Sequence, residues 1–289
     1  MGSVIYCQEL QKNYGSKKVL QGLNLEVPAG TVFALLGTNG AGKTTLIRTL
    51  LGLIPASGGI VKVLGEEPYR IGAALRRKIG YVSEEQGLYA WMTIQEIINF
   101  CRSLYTQWDD QLVQHYLERF KLKTRSRIST LSKGQTTKLA LILALAPKPE
   151  LLILDEPMNG LDPLAQHEFL QVIQKDIHSE GRSIFFSTHN LADVEAIAQQ
   201  VAIVYNGKIQ IAGPLPTVCR QVVKITVPLE FTDVNISRRV ILNRENDHQE
   251  ILTAAAEARQ LVATHACATK QLLPVSLRET FLFFCADEQ

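Results

Sequence analysis

The stretch Gly37-Thr38-Asn39-Gly40-Ala41-Gly42-Lys43-Thr44 follows an apolar strand-like run, Val32 to Leu36, and opens a helix at Lys43 to Leu51. The pattern G-x-x-x-x-G-K-[ST], set between a strand and a helix, is that of a phosphate-binding loop. Gly37, Gly40 and Gly42, with Asn39 and Ala41 between them, permit a turn tight enough for successive backbone N–H groups to face one phosphate, and the helix N-terminus adds partial positive charge. Lys43 is expected to bridge the β- and γ-phosphates of ATP. Thr44 is expected to coordinate Mg²⁺ through its hydroxyl, and Thr45 to add a donor toward the α-phosphate. A fortuitous glycine-rich turn is the competing reading, and the strand before and helix after oppose it.

A second element, Leu151-Leu152-Ile153-Leu154-Asp155-Glu156, reads as a buried strand ending in two carboxylates, the place where open parallel sheets bind ligands. Asp155 is expected to hold Mg²⁺, directly or through water, and Glu156 to orient and polarise an attacking water. Paired acids at a strand end can also form a plain loop or cap, a reading that the nearby phosphate loop weakens.

From Val4 to Gly213 short apolar strands alternate with amphipathic helices, the pattern of an α/β domain. Strands are expected at Val4 to Glu9, Val19 to Val27, Val32 to Leu36, Gly59 to Leu64, Ile79 to Val82, Leu151 to Leu154 and Ile184 to Ser187. A hairpin follows at Val201 to Ile211, turning at Asn206-Gly207, a pair that tolerates the positive φ angles of a type I′ turn. Between Thr93 and Leu145 strand signals vanish and apolar residues recur at three- and four-residue spacing, marking a helical insert, residues 86–146. After Pro214 the chain changes character, with strands expected at Val222 to Val227 and Arg239 to Leu242 and helices at Gln249 to Val262 and Ser276 to Cys285. The division is therefore residues 1–214 and a small α+β C-terminal domain, 215–289. Asp247-x-x-Glu250 and Ser276-x-x-Glu279 both have the form of a capping box at a helix start.

Thirty basic against twenty-eight acidic residues leave a formal charge of +2, so composition gives nucleic acid no support as a partner. Five cysteines, Cys7, Cys101, Cys219, Cys267 and Cys285, are odd in number and lack C-x-x-C spacing, which indicates neither a disulfide framework nor a zinc site and suits a reducing cytosol. The N-terminal residues do not read as a secretory signal. The longest apolar runs, Leu139 to Ala146 and Phe281 to Ala286, fall short of the roughly 20 residues that cross a bilayer, so a membrane role requires a partner chain.

The segment Leu131-Ser132-Lys133-Gly134-Gln135, upstream of the two carboxylates, resembles the signature of ABC transporter ATPases, with Lys133 where glycine is usual. Tyr14, in Asn13-Tyr14-Gly15, matches the aromatic residue that stacks on adenine in this family, and His189, in Ser187-Thr188-His189, matches the switch histidine that contacts the γ-phosphate. Asn159-Gly160-Leu161-Asp162 is similar to the loop through which two cassettes communicate, although Asn159 and Gly160 depart from its commonest form. The metal-side glutamine that usually follows Ile-Gly-Tyr-x-x falls at Glu84, a departure that adds negative charge beside ATP. Gln86 is the alternative counterpart if the loop shifts by two residues. Ser276 to Leu282 is similar to a short helix in many export-type subunits, and a generic amphipathic helix explains it almost as well.

The resemblance spans Val4 to Gly213 and implies the P-loop NTPase cassette fold: a mixed sheet core, an antiparallel β subdomain and a helical subdomain. It implies an ATP hydrolase driving transport, export by its type, through separate membrane subunits on the cytoplasmic face of the membrane. Two cassettes, expected to be identical, would face head to tail, each ATP lying between one phosphate loop and the partner's Ser132 and Gly134, with Asp162 at the interface. Leu88-Tyr89-Ala90-Trp91-Met92 lies where this family receives a membrane subunit, and Trp91 and Met92 are expected to line the docking groove; ordinary core packing is the alternative. Two rival functions stay open. One is a soluble ABC ATPase acting in nucleic-acid, ribosome or protein-assembly work. The other is a regulatory cassette that binds ATP and barely hydrolyses it, suggested by Glu84 and Lys133 and opposed by Glu156 and His189.

Overall fold

In the computed structural model, residues 2–177, 181–228, 238–245, 248–264 and 272–286 are described. The chain opens with two long antiparallel strands, β1 (Ser3–Tyr14) and β2 (Lys17–Pro28), followed by β3 (Val32–Gly37) and α1 (Lys43–Leu50). Strand β4 (Gly58–Val63) pairs with β1, giving a three-stranded antiparallel sheet of order β2-β1-β4. Short helices α2 (Pro68–Ile71) and α3 (Ala73–Arg76) then lead to β5 (Ile79–Val82).

The helical insert holds α4 (Ile94–Arg102), α5 (Asp110–Arg119), a 3₁₀ turn at Ile128–Thr130 and α6 (Lys133–Leu145). Two of its helices begin on reciprocal capping boxes, Thr93 with Glu96 and Ser132 with Gln135, which satisfy N–H groups that a helix start leaves orphaned. The main sheet then continues through β6 (Leu151–Asp155), α7 (Pro163–Gln171), a π-helical stretch at Val172–Ile177, β7 (Ser183–Thr188), α8 (Leu191–Ile197), β8 (Gln200–Tyr205) and β9 (Lys208–Pro214).

The six strands run in the order β5-β6-β7-β3-β8-β9. All their pairings are parallel except the hairpin β8-β9. Every residue of β3, β6 and β7 is buried, as expected of strands covered on both faces, which read in sequence as continuous apolar runs rather than alternation. The hairpin turns on Asn206 (φ 48°) and Gly207 (φ 73°), both in the left-handed region that a type I′ turn demands. The Gly207 carbonyl accepts from Gln21 N–H at 2.9 Å, tying the antiparallel sheet to the edge of the main one.

Beyond β9 lie α9 (Leu215–Cys219), β10 (Val222–Pro228), β11 (Val240–Glu245), β12 (His248–Ala254), α10 (Ala255–Thr264), β13 (Leu273–Pro274) and α11 (Leu277–Cys285). The strands form an antiparallel sheet of order β11-β12-β10-β13. The helix expected from Gln249 begins at Ala255 instead, because Gln249 to Ala254 form strand β12 in register with β10. Ile251, Leu252 and Thr253 are fully buried there, so cross-strand packing overrides the helical tendency of the alanine-rich stretch that follows. Asp247 and Cys267 lie outside the described residues. The capping box at Ser276 forms as expected, with Ser276 accepting from Glu279 N–H and Glu279 accepting from Ser276 N–H.

Residues after 214 do not pack only on one another. Leu277 and Val218 belong to the same buried cluster as Val201 and Ile203 of β8, with Phe281 and Phe284 packed against it, while Phe283 joins Val222 and Leu252 of the C-terminal sheet. Helix α11 thus touches both sheets.

Candidate active site at the ends of the parallel strands

Strands β3, β6 and β7 end side by side, and their carboxyl ends bring the phosphate loop, the carboxylate pair and the Ser187-Thr188-His189 segment together. The loop's backbone depends on glycine. Gly42 has φ 105°, and a Cβ on it would stand 3.0 Å from Leu20 and 3.3 Å from the Val19 carbonyl. At Gly37 a Cβ would meet the Val204 carbonyl at 2.6 Å, so the loop can lie this close to β8 only without a side chain.

Lys43 is buried, and its Nζ donates to the carbonyls of Gly37 at 2.7 Å and Thr38 at 3.1 Å. It also stands 3.0 Å from Glu156 Oε1, a buried ion contact that lacks hydrogen-bond alignment. On the other oxygen of Glu156, His189 Nδ1 lies at 2.9 Å, a hydrogen bond when Nδ1 carries the proton, and His189 N–H donates at 3.3 Å. One carboxylate therefore joins the phosphate-loop cation to the histidine.

Glu156 is held in the left-handed region, φ 46°, which disfavours residues with a Cβ by roughly 1–2 kcal/mol. Two bonds from its N–H, to Ser187 Oγ at 3.0 Å and the Ser187 carbonyl at 3.2 Å, fix that turn. Strain stored beside buried charge is characteristic of functional sites. Ser187 Oγ in turn donates to Asp155 Oδ1 at 2.6 Å. Burial pushes the Asp155 carboxyl above its ordinary range; hydrogen bonds from Ser187 and Thr44 pull the other way, and the charges of Glu156 and Glu84 push it up further. Thr44, Asp155 and Glu84, expected around a metal, are thus close enough to influence one another. Among the described residues no group of three or more His, Cys, Asp or Glu gathers to hold a metal. A hydroxyl and separate carboxylates remain a set of hard oxygen donors, the kind that suits Mg²⁺ completed by water and phosphate.

An open cleft of about 1110 Å³ lies over this floor. Its walls include Tyr14, Asn39, Gly40, Gly42, Lys43, Thr44, Thr45, Glu84 and Glu156 from the predicted residues. Tyr14 stands at the rim with its ring half-exposed and the Lys12 ammonium 5.1 Å from the ring centre. Glu84, not Gln86, faces the cleft; Gln86 turns away to donate to the Ser83 carbonyl and lines a separate groove with Leu88 and Tyr105. Asp155 and Ala41 lie beneath the surface.

Ser132, Gly134 and Asp162 do not line the cleft. Ser132 and Asp162 each cap a helix of their own chain, and Gly134 packs toward Ala165, where a Cβ would come within 3.3 Å. Lys133 lies over Gly160, its Nζ 2.7 Å from where a Cβ on that glycine would stand. Trp91 is 67% exposed and sits 6.0 Å from Tyr89, which contacts Phe100 edge-on at 5.8 Å. Met92 packs partly against the core instead, and neither Trp91 nor Met92 lines the groove of Leu88 and Tyr105.

No motif marks Ser187 as the link between Asp155 and Glu156, or Thr188, whose hydroxyl donates to buried Asp193 at 2.9 Å. Nor does a local pattern announce the bond from Asn159 Nδ2 to Glu84 Oε1, 2.8 Å. Two adjacent hydroxyls at the end of an apolar strand were the available signal for the first two.

Residues 20–159 match the family described as ABC transporter. The chain is 36% identical over 211 residues, 72% of its own length and 69% of the relative's, to the bacitracin transport ATP-binding protein BcrA of Bacillus licheniformis. It is 34% identical to the lantibiotic transport ATP-binding protein SrtF of Streptococcus pyogenes, across 70% of this chain and 87% of that one. A solved ATP-binding subunit of an ABC transporter superposes with a TM-score of 0.69 at 29% identity, covering 76% of this chain and 93% of that chain. A dimeric ATP-binding cassette in a post-hydrolysis state with ADP and Pi, 20% identical, has the same fold, with a TM-score of 0.66 over 73% of this chain and 98% of its own. With the phosphate loop, the carboxylate pair and the histidine at one strand end, the chain belongs to the ABC transporter family, as an ATP-binding and ATP-hydrolysing subunit.

Proposed function

We propose that this subunit powers export of a substrate through separate membrane subunits, from the cytoplasmic face of the membrane, as a pair of identical cassettes. The observation that carries the reading is the bridge Lys43–Glu156–His189 on the floor of the cleft. Kinship with bacitracin and lantibiotic transport proteins supports an export role. No described helix is long and apolar enough to cross a membrane. Residues 1–214 would form the cassette and 215–289 an accessory unit.

Within the site, the N–H groups of the phosphate loop would cradle the β-phosphate and Tyr14 would stack on adenine. Thr44, Asp155 and Glu84 would hold Mg²⁺, whose chemistry when bound is to neutralise charge on the phosphate oxygens. Lys43 would exchange its unaligned contact with Glu156 for the γ-phosphate. Glu156, released on Oε1, would then orient the attacking water and accept its proton, with His189 holding the other oxygen. Ser132 and Gly134 do not line the cleft of their own chain and would serve the partner's nucleotide. Closure would follow from ATP contacting both faces, and opening from loss of the γ-phosphate. Exposed Trp91 and Tyr89 would meet the membrane subunit.

Glu156→Gln tests the assignment. Turnover is expected to fall by about 10²–10⁴-fold, the usual worth of a positioned general base. ATP binding should persist and an ATP-dependent dimer should accumulate in size-exclusion chromatography. Unchanged turnover would remove Glu156 from the role.

A further inference from the structure

Glu84 and Asn159, 75 residues apart in sequence, meet in space. Asn159 Nδ2 donates to Glu84 Oε1 at 2.8 Å. The two residues follow different strands, β5 and β6, and both line the nucleotide cleft. Asn159 is also bound to the floor of the site, because its backbone N–H donates to the Glu156 carbonyl at 3.1 Å and closes the turn that begins at that left-handed residue. The loop carrying Glu84 is braced by bonds within itself, Ser83 Oγ to the Glu85 carbonyl at 2.6 Å and Gln86 to the Ser83 carbonyl. The Asn159 amide ties that loop's carboxylate to the neighbouring strand end.

We propose that Asn159 is a positioning residue for Glu84, its carboxamide holding that carboxylate beside the phosphate loop in register with the turn that sets Glu156. The inference rests on the reading of Glu84 as a metal-side carboxylate. A glutamate on a surface loop loses side-chain freedom when it engages a cation, and a carboxylate already fixed through Oε1 has lost part of that freedom beforehand. The donor type matters. A lysine at 159 would neutralise the charge that an incoming cation needs, and an aspartate would repel it. A neutral amide orients the carboxylate, leaves its charge intact and keeps Oε2 as a hard oxygen donor.

The test is the Mg²⁺ dependence of nucleotide affinity, read with a fluorescent ATP analogue on the full chain. For Asn159→Ala, the Mg²⁺ concentration giving half-maximal tightening should rise by roughly 3- to 10-fold, the net worth of an ordinary solvent-exposed hydrogen bond, while affinity in EDTA stays at the wild-type value. Glu84→Ala should shift the titration by itself, and adding Asn159→Ala to it should change nothing more. If Glu84→Ala shifts the titration and Asn159→Ala does not, or if the two shifts add, the positioning role is wrong. A loss of affinity in EDTA for Asn159→Ala would overturn it too, making Asn159 a direct nucleotide contact. If Glu84→Ala itself titrates like the wild type, the metal-side reading of Glu84 fails and takes the proposal with it.

Discussion

Lys43, Asp155, Glu156 and Asp193 are all buried, and they gather where β3, β6 and β7 end. In the C-terminal sheet the buried polar side chains among the described residues are Gln249 and Thr253, both neutral, with Thr253 Oγ1 donating to Glu257 at 3.2 Å. Both sheets are built from similar apolar strand residues, so hydrophobic content does not separate them. Buried charge does. Removing an ionised group from water is costly unless it is paired, and the first sheet meets that cost with an ion contact, a histidine and a ladder of hydroxyls. The difference teaches that the ends of the parallel strands are shaped by chemistry and the antiparallel sheet by packing.

Substitutions on either side can break that contrast. The largest expected effect is from Lys43→Ala, which removes the cation of a buried pair and the group that would meet the phosphates; nucleotide affinity should fall by about 100-fold or more in a binding titration. Retained affinity would dissolve the distinction at once. On the other side, Phe283→Ala opens a cavity between α11 and the C-terminal sheet and should cost about 3–5 kcal/mol in denaturant unfolding, with kcat per folded molecule unchanged. A change in kcat would draw the C-terminal sheet into the chemistry. Smaller still, Tyr14→Ala should weaken nucleotide affinity by about 10-fold, within the range for base–aromatic stacking, and Tyr14→Phe should restore it.

The smallest effect sharpens the electrostatic side. Burial raises the Asp193 carboxyl above its ordinary value of 3.8, with the Glu156 charge adding to the rise and the Thr188 bond opposing it. A carboxyl with a raised folded pKa contributes its full stability below the unfolded value and loses it as pH rises through the folded one. The melting temperature of Asp193→Asn relative to the wild type should therefore climb from pH 4 to pH 8. A difference that stays flat would mean that the charge is not disfavoured in the fold.

Much of the first sheet was legible because its elements are marked locally. Glycines punctuate the phosphate loop, apolar runs end in acids or hydroxyls, and Asn206-Gly207 announces its turn. Each signal sits within a few residues of the structure it specifies. Strand β12 was not legible, since His248 to Ala254 become a strand only by lying between β10 and β11, and the alanines that follow favour helix. The same holds inside the site. Lys43, Asp155 and Glu156 announce themselves by motif, whereas the Asn159–Glu84 bond joins loops far apart in sequence that only the pairing of β5 with β6 makes neighbours.

Helix α11 gives the fold an order of completion. Leu277, 2% exposed, fills the cluster that also holds Val201 and Ile203, although it is synthesised long after β8. A nascent chain can finish all six strands of the nucleotide-binding sheet and still leave part of its helix-side face bare. Until α11 emerges, that apolar surface is open to chaperones and to other unfinished chains. Closing that face of the sheet therefore waits on residues 277–285.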